Sequence, residues 1–249
     1  MIMRTCIQTA RMALPVAALL LGGCFKLSRE SPPLRQYVLS VAAPPGTTAQ
    51  APTGGATSPR APASLTVGLR RLDLASYLSV PYIIVRRGTS ELLTSEFHRW
   101  GEDVGDGINR VVAANLAGSP LLRAVEVAPW PLASRHNFLV QLHVTRFEGI
   151  ADSAATEGRV HVTAGWDIIR PFDGKMLLRG RTDDRRESWR VGDYTGLVRG
   201  LDAALQRMAR DIGTCLARFP NDSTPPAACV AADSAGGSAA SSSAESLNR

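Results

Sequence analysis

Two stretches of strict alternation, Phe138 to Thr145 and Arg159 to Ile168, constrain the fold of this chain more than any other feature. Phe138, Val140, Leu142 and Val144 share one face of the first, opposite Leu139, Gln141, His143 and Thr145. In the second, Val160, Val162, Ala164, Trp166 and Ile168 oppose Arg159, His161, Thr163 and Asp167. Successive side chains of a strand point to opposite faces, so one apolar and one polar face describe a half-buried antiparallel sheet. A hairpin centred near Asp152 would set Val144 against Val160, Leu142 against Val162 and His143 against His161. Asp173-Gly174 is a tight-turn signal into a third strand, Lys175 to Glu187.

Shorter strand signals lie upstream: Gln36 to Val41, Leu65 to Leu69, and a hairpin from Tyr82–Val85 to Glu91–Thr94 turning at Arg87-Gly88-Thr89-Ser90. Ala124 to Val127 reads as another. Phe97-His98-Arg99-Trp100 reads as a loop laid on the core, with Phe97 and Trp100 inside and Arg99 solvated. Val104, Ile108, Val111, Val112 and Leu116 form one helical stripe, capped by Asp103 or Asp106 and ended by Gly118-Ser119-Pro120. Gly105 and Gly107 each cost about 1 kcal/mol in a helix, so the first turn is expected to be frayed or the helix to begin at Asp106. A last helix, capped by Asp193, carries Leu197, Leu201, Leu205, Met208 and Ile212 inward, with Arg199, Asp202, Gln206 and Arg210 outward. The expectation is a single α+β domain over residues 36–219. Its antiparallel β-sheet would be covered on one face by two main helices, near 106–117 and 194–216.

The N-terminus says where such a domain is delivered. Arg4 and Arg11 precede an apolar run from Met12 to Leu21, the order of a secretory signal. The ending Leu21-Gly22-Gly23-Cys24 resembles a bacterial lipobox, which makes residues 1–23 a signal peptide and Cys24 the acylated first residue. Ten apolar residues are too few to span about 30 Å of hydrocarbon, whereas several acyl chains anchor stably at about 0.8 kcal/mol per buried methylene. Residues 24–35 then serve as a tether. Phe25, where an aspartate would retain a lipoprotein in the inner membrane, directs the protein to the periplasmic face of the outer membrane. Residues 42–64 and 220–249 are dominated by Ala, Pro, Gly, Thr and Ser, and are expected to be a disordered insertion and tail. With Cys6 lost and Cys24 acylated, Cys215 and Cys229 remain, either as free thiols or as a disulfide worth at most about 3 kcal/mol. The formal charge of +6 is too diffuse to argue for nucleic acid.

No motif for nucleophilic, metal or phosphate chemistry is present, so no enzyme activity and no cofactor are expected. His143 and His161, if paired, would offer two of the three or four ligands a metal normally takes, beside neighbours that ligate poorly. The plainer reading is a solvated sheet face. His143, Thr145, Arg159, His161 and Thr163 are therefore expected to form a surface open to a partner or to self-association. The mixed run Arg179, Arg181, Asp183, Asp184, Arg185, Arg186, Glu187 and Arg190 reads as a solvated strand face, the other reading being contact with an anionic partner or lipid headgroups.

A family resemblance runs through these segments. Tyr77-Leu78 with Pro81, Glu96-Phe97-His98-Arg99-Trp100, the helix Ile108 to Leu116, Pro129-Trp130, Arg146-Phe147-Glu148-Gly149 and Gly192-Asp193-Tyr194 look like the PqiC/YmbA family, from about Tyr37 to Phe219. These are auxiliary lipoproteins of ABC-type transporters with MCE substrate-binding subunits. The resemblance implies an outer-membrane accessory of a lipid transport system, with an MCE protein as partner, and supplies no catalytic residues. The other reading is a lipoprotein scaffold or activator of a cell-wall enzyme, which needs the same anchor and an equally inert domain.

Overall fold

The structure, a computed structural model, describes residues 32–41, 65–152, 154–217 and Cys229. The expectations for the signal peptide, Cys24, the insertion 42–64 and nearly all of the tether and tail fall outside these residues. The chain divides after Leu34, and the unit beginning at Arg35 holds every strand and helix described.

Among the described residues ten strands join one sheet around a central strand, β7 (Phe138–Ile150). Along one edge of β7 runs β8 (Glu157–Ile169), antiparallel, followed by β9 (Met176–Asp184) and β10 (Ser188–Arg190), both antiparallel to β8. Along the other edge three earlier strands lie parallel to β7: β2 (Leu65–Leu69), β3 (Asp73–Leu74) and β4 (Tyr82–Arg87). Beyond β4 come β5 (Glu91–Trp100) and β1 (Arg35–Tyr37), and beyond β2 comes β6 (Leu122–Val127). Helix α1 (Val104–Ala117) and helix α2 (Tyr194–Ala217) pack on one face, as the α+β reading expects.

The sheet is mixed, not antiparallel throughout, and the reason is the placing of β2 between β6 and β7. Parallel neighbours need a crossover, and residues 128–137 provide it, bonded to β2 at both ends: Ala128 N–H donates to the Leu69 carbonyl and Asn137 N–H to that of Thr66. Trp130 stands edge-on to His136 within this crossover.

The β7–β8 register also departs from expectation. Val144 pairs with Ala164, Leu142 with Trp166, and His143 with Gly165. The turn lies two residues further along than Asp152, and a bulge falls at Thr145. An extra residue in one strand swaps the faces of everything beyond it. Val140, Leu142 and Val144 point into the core, and after the bulge Phe147 does so. His161 consequently faces Glu148, not His143.

Phe97-His98-Arg99-Trp100 forms the end of β5 and not a loop, with Trp100 buried and Phe97 half-buried. The third long strand is interrupted at 185–187, where Arg186 N–H turns to Asp184 Oδ1. Asp103 caps α1, its Oδ1 accepting from the amides of Gly105 and Asp106 at 2.9 and 3.1 Å, so the helix begins at Val104 despite its glycines. Asp193 Oδ1 accepts from Gly196 N–H at the start of α2. The α2 stripe from Leu197 to Ile212 is fully buried. Asp202, expected outside, is buried because Ser40 covers it and donates both its amide and hydroxyl to the carboxylate at 3.0 Å. Cys215 and Cys229 are disulfide-bonded, with Cα atoms 5.7 Å apart.

The inner layer leaves no room at two places. Trp166 lies across its cross-strand neighbour Gly180, where a Cβ would fall 2.1 Å from the indole. At Gly200 of α2 a Cβ would fall 2.5 Å from a Val160 methyl, so helix and sheet meet backbone to side chain. Overpacking of this kind costs about 1–3 kcal/mol. Gly180→Ala is expected to lower unfolding stability by about that amount, read as a lower urea midpoint with an unchanged slope.

Candidate functional site

The face of the sheet away from the helices is closed by its own charged side chains. At its centre Glu148 has no solvent exposure. Arg86 grips both carboxylate oxygens, Nε to Oε1 at 2.6 Å and Nη2 to Oε2 at 3.0 Å, and Arg146 Nη1 adds a third contact at 3.2 Å. Tyr77 Oη lies 3.0 Å from Glu148 Oε2 and 3.0 Å from the Thr145 carbonyl oxygen, so its one proton is shared between them. Burial, reinforced by the adjacent carboxylate, pushes the Tyr77 phenol up to about 12. The Thr145 bulge creates this site: it turns Arg146 and Glu148 outward to meet Tyr77 and Arg86.

A second cluster surrounds His161, which is 2 % exposed. Its Nε2 lies 2.9 Å from Thr163 Oγ1, 3.0 Å from Asp183 Oδ1 and 3.0 Å from Arg185 Nε, while Nδ1 is buried without a partner. Burial holds the imidazole below its ordinary range, and Arg185 acts in the same direction against the pull of Asp183. Nearer the start of β7, His143 stands between Asp73 and Asp167, 3.2 Å from each, and Arg179 Nε reaches Asp167 Oδ1 at 2.8 Å. Burial alone would raise Asp167, but Arg179 and then His143 outweigh it and hold the carboxylate below its usual range.

The five residues expected to share an open surface therefore separate. Thr145 and Arg159 are exposed and His143 is partly so. His161 and Thr163 are buried, because Asp183 and Arg185 fold over them. The two histidines sit in different clusters, which removes the geometry for a shared metal. Among the described residues no group of three or more His, Cys, Asp or Glu is placed to hold a metal ion.

On the opposite side of β5, segments far apart in sequence form an aromatic column. His98 stacks on Tyr194 with ring centroids 4.0 Å apart and a 14° tilt, and on Tyr37 at 6.0 Å. Trp189 lies 6.3 Å from Tyr194, and Trp100 6.1 Å from Phe147. Burial, with the charge of Arg35, lowers the His98 imidazole. A groove of about 770 Å³ opens between α1 and the end of β6, lined by Arg71, Asn109, Arg110, Ala113, Val127 and Pro129. Sequence reasoning missed Glu148 and Asp202 as buried charges. The signal for Glu148 was present, since the apolar parity moves from Val140, Leu142 and Val144 to Phe147.

Breaking a buried ion pair by removing one partner costs about 3–5 kcal/mol. Arg86→Ala, which leaves the Glu148 carboxylate with only Arg146 and Tyr77, is expected to cost up to that range by urea denaturation, and the double change Arg86→Leu with Glu148→Leu to recover much of it. A second expectation concerns pH. The folded imidazole of His161 is depressed relative to about 6.5 in the unfolded chain. Between the two values the unfolded state binds more protons, so stability is full above about pH 6.5 and is lost as pH falls through it. His161→Asn should reduce the drop in urea midpoint between pH 7.5 and 5.5, and an unchanged drop would contradict the assignment.

The geometry can be set beside known proteins. A crystal structure of a Xanthomonas campestris protein is 16% identical, covers 63% of this chain and 86% of its own length, and superposes with a TM-score of 0.54, which establishes a shared fold. A PelC dodecamer from Paraburkholderia phytofirmans is 12% identical, with 61% of this chain and 91% of that one covered at a TM-score of 0.36. No curated protein sequence matches with significance. The model of the ABC-type transport auxiliary lipoprotein component matches residues 37–213, and this chain belongs to that family.

Proposed function

We propose that the protein is anchored by acyl chains on Cys24 to the periplasmic face of the outer membrane, where it acts without catalysis as the accessory of an MCE-type lipid transport system. The observation that carries this reading is the family match across residues 37–213, which takes in the sheet from the last residue of β1 onward, all of α1 and nearly all of α2. The geometry is consistent with it. The residues that carry the resemblance meet in two places, Tyr77 with Arg146 and Glu148, and His98 with Tyr194, and in both they hold strands and helix in register. Glu148 is held by Tyr77, Arg86 and Arg146, and His98 Nδ1 meets Ser95 Oγ at 2.8 Å, which suits a rigid body presented to a partner. The accessible part of the polar face, Thr145, Arg159 and the rim of His143, is the part of the expected surface that an MCE protein or a second copy can reach.

Purification of the affinity-tagged protein from membranes is expected to bring down the MCE subunit encoded with it. Recovery of a cell-wall synthase instead, with envelope permeability unchanged on gene deletion, would overturn the proposal in favour of a scaffold. Separation of the two membranes by density tests the location: the protein should band with the outer membrane, and Phe25→Asp should move it inward.

A further inference from the structure

We propose that the turn between β8 and β9 is a lipid-contacting tip that inserts Phe172 into the surface of an anionic bilayer. Phe172 is 81% exposed at the apex of this turn, and Met176, just beyond it, is 46% exposed. Single apolar residues on a surface need no explanation, but this one is held outward by a closed device. Arg170 N–H donates to the Lys175 carbonyl at 2.8 Å, Gly174 N–H to the Arg170 carbonyl at 3.0 Å, and Lys175 N–H to Asp173 Oδ1 at 3.0 Å. Gly174 takes a φ of 70°, which favours glycine and lets the turn close. The ring therefore projects with little conformational freedom left to lose.

Charge decides the occupant. The Arg170 guanidinium lies 5.2 Å from the Phe172 ring centroid and is tied to Asp173, and Lys175 adds a second cation on the other flank. An aromatic tip collared by Arg and Lys matches an interface in which the ring meets acyl chains and the cations meet phosphates. The pairing of Leu139 with Ile169, and of Ile169 with Met176, places the turn at the end of the sheet where β7 begins. Leu121, 42% exposed, lies at the same end, its carbonyl accepting from Leu65 N–H. The inference rests on the acyl anchoring proposed above and not on the identity of the transport partner.

The test uses the full acylated chain reconstituted in vesicles. Its other mature cysteines are acylated or bridged, so Pro171→Cys offers one thiol for a fluorescent probe beside an intact Phe172. In vesicles containing phosphatidylglycerol and nitroxide-labelled lipid, the probe should be quenched at least about threefold more than one at Val191→Cys. Adding Phe172→Ser should abolish the difference, and Lys175→Glu should reduce it in anionic but not in zwitterionic vesicles. Equal quenching at the two positions in floating vesicles overturns the inference alone. Failure of the protein to float with the vesicles overturns the anchoring as well. Shielding of the probe in native membranes but not in pure lipid would assign the tip to a protein, against this proposal.

Discussion

A carboxylate with no water around it must be matched by charge from the protein, and Glu148 sets the terms for much of this sheet. Its partners come from the turn before β4, from β4 itself and from its own strand, so Tyr77, Arg86 and Arg146 are brought together only when β4 lies parallel against the far end of β7. A slip of two residues would keep the apolar layer apolar but would part Glu148 from its partners, and a slip of one would turn Glu148 into the layer that holds Phe147. The cluster thus works as a register pin, whatever its net contribution to stability.

The pin and the bulge depend on each other. Without the extra residue at Thr145, β7 would continue its even-numbered apolar face, and Arg146 and Glu148 would enter the core. With it, Phe147 fills the inner layer next to Trp100, and the strand's second half shows charge outward. The Thr145 carbonyl, in a regular pair committed to the ladder, is available to Tyr77. A local irregularity in one strand accordingly organises contacts among three others.

Much of this was legible from residue pattern and much was not, for a physical reason. Periodicity reports which face a side chain takes, so the strands from Phe138 and Arg159, the stripe Val104 to Leu116 and the stripe Leu197 to Ile212 were readable to within a few residues. Periodicity does not report which strand lies alongside. The parallel placing of β2, β3 and β4 along β7 depends on a crossover from Ala128 to Asn137 that carries no period at all. The polar face misled in a further way. His161 and Thr163 alternate as exposed residues should, yet long charged neighbours cover them, and alternation cannot distinguish a face that meets water from one roofed by arginine and aspartate.

That roof bears on what an accessory protein of this kind can offer a partner. Most of the cations on the polar face are already engaged: Arg86 and Arg146 with Glu148, Arg179 with Asp167 and Arg185 with Asp183. A partner docking there would have to compete with pairs held at fixed geometry, and exposed pairs yield little when exchanged. At the margins of the sheet, by contrast, apolar side chains stand open to solvent. The groove beside β6 and the turn at Phe172 lie at such margins. A domain whose centre is locked by charge and whose rims carry the exposed apolar surface is suited to hold a fixed shape.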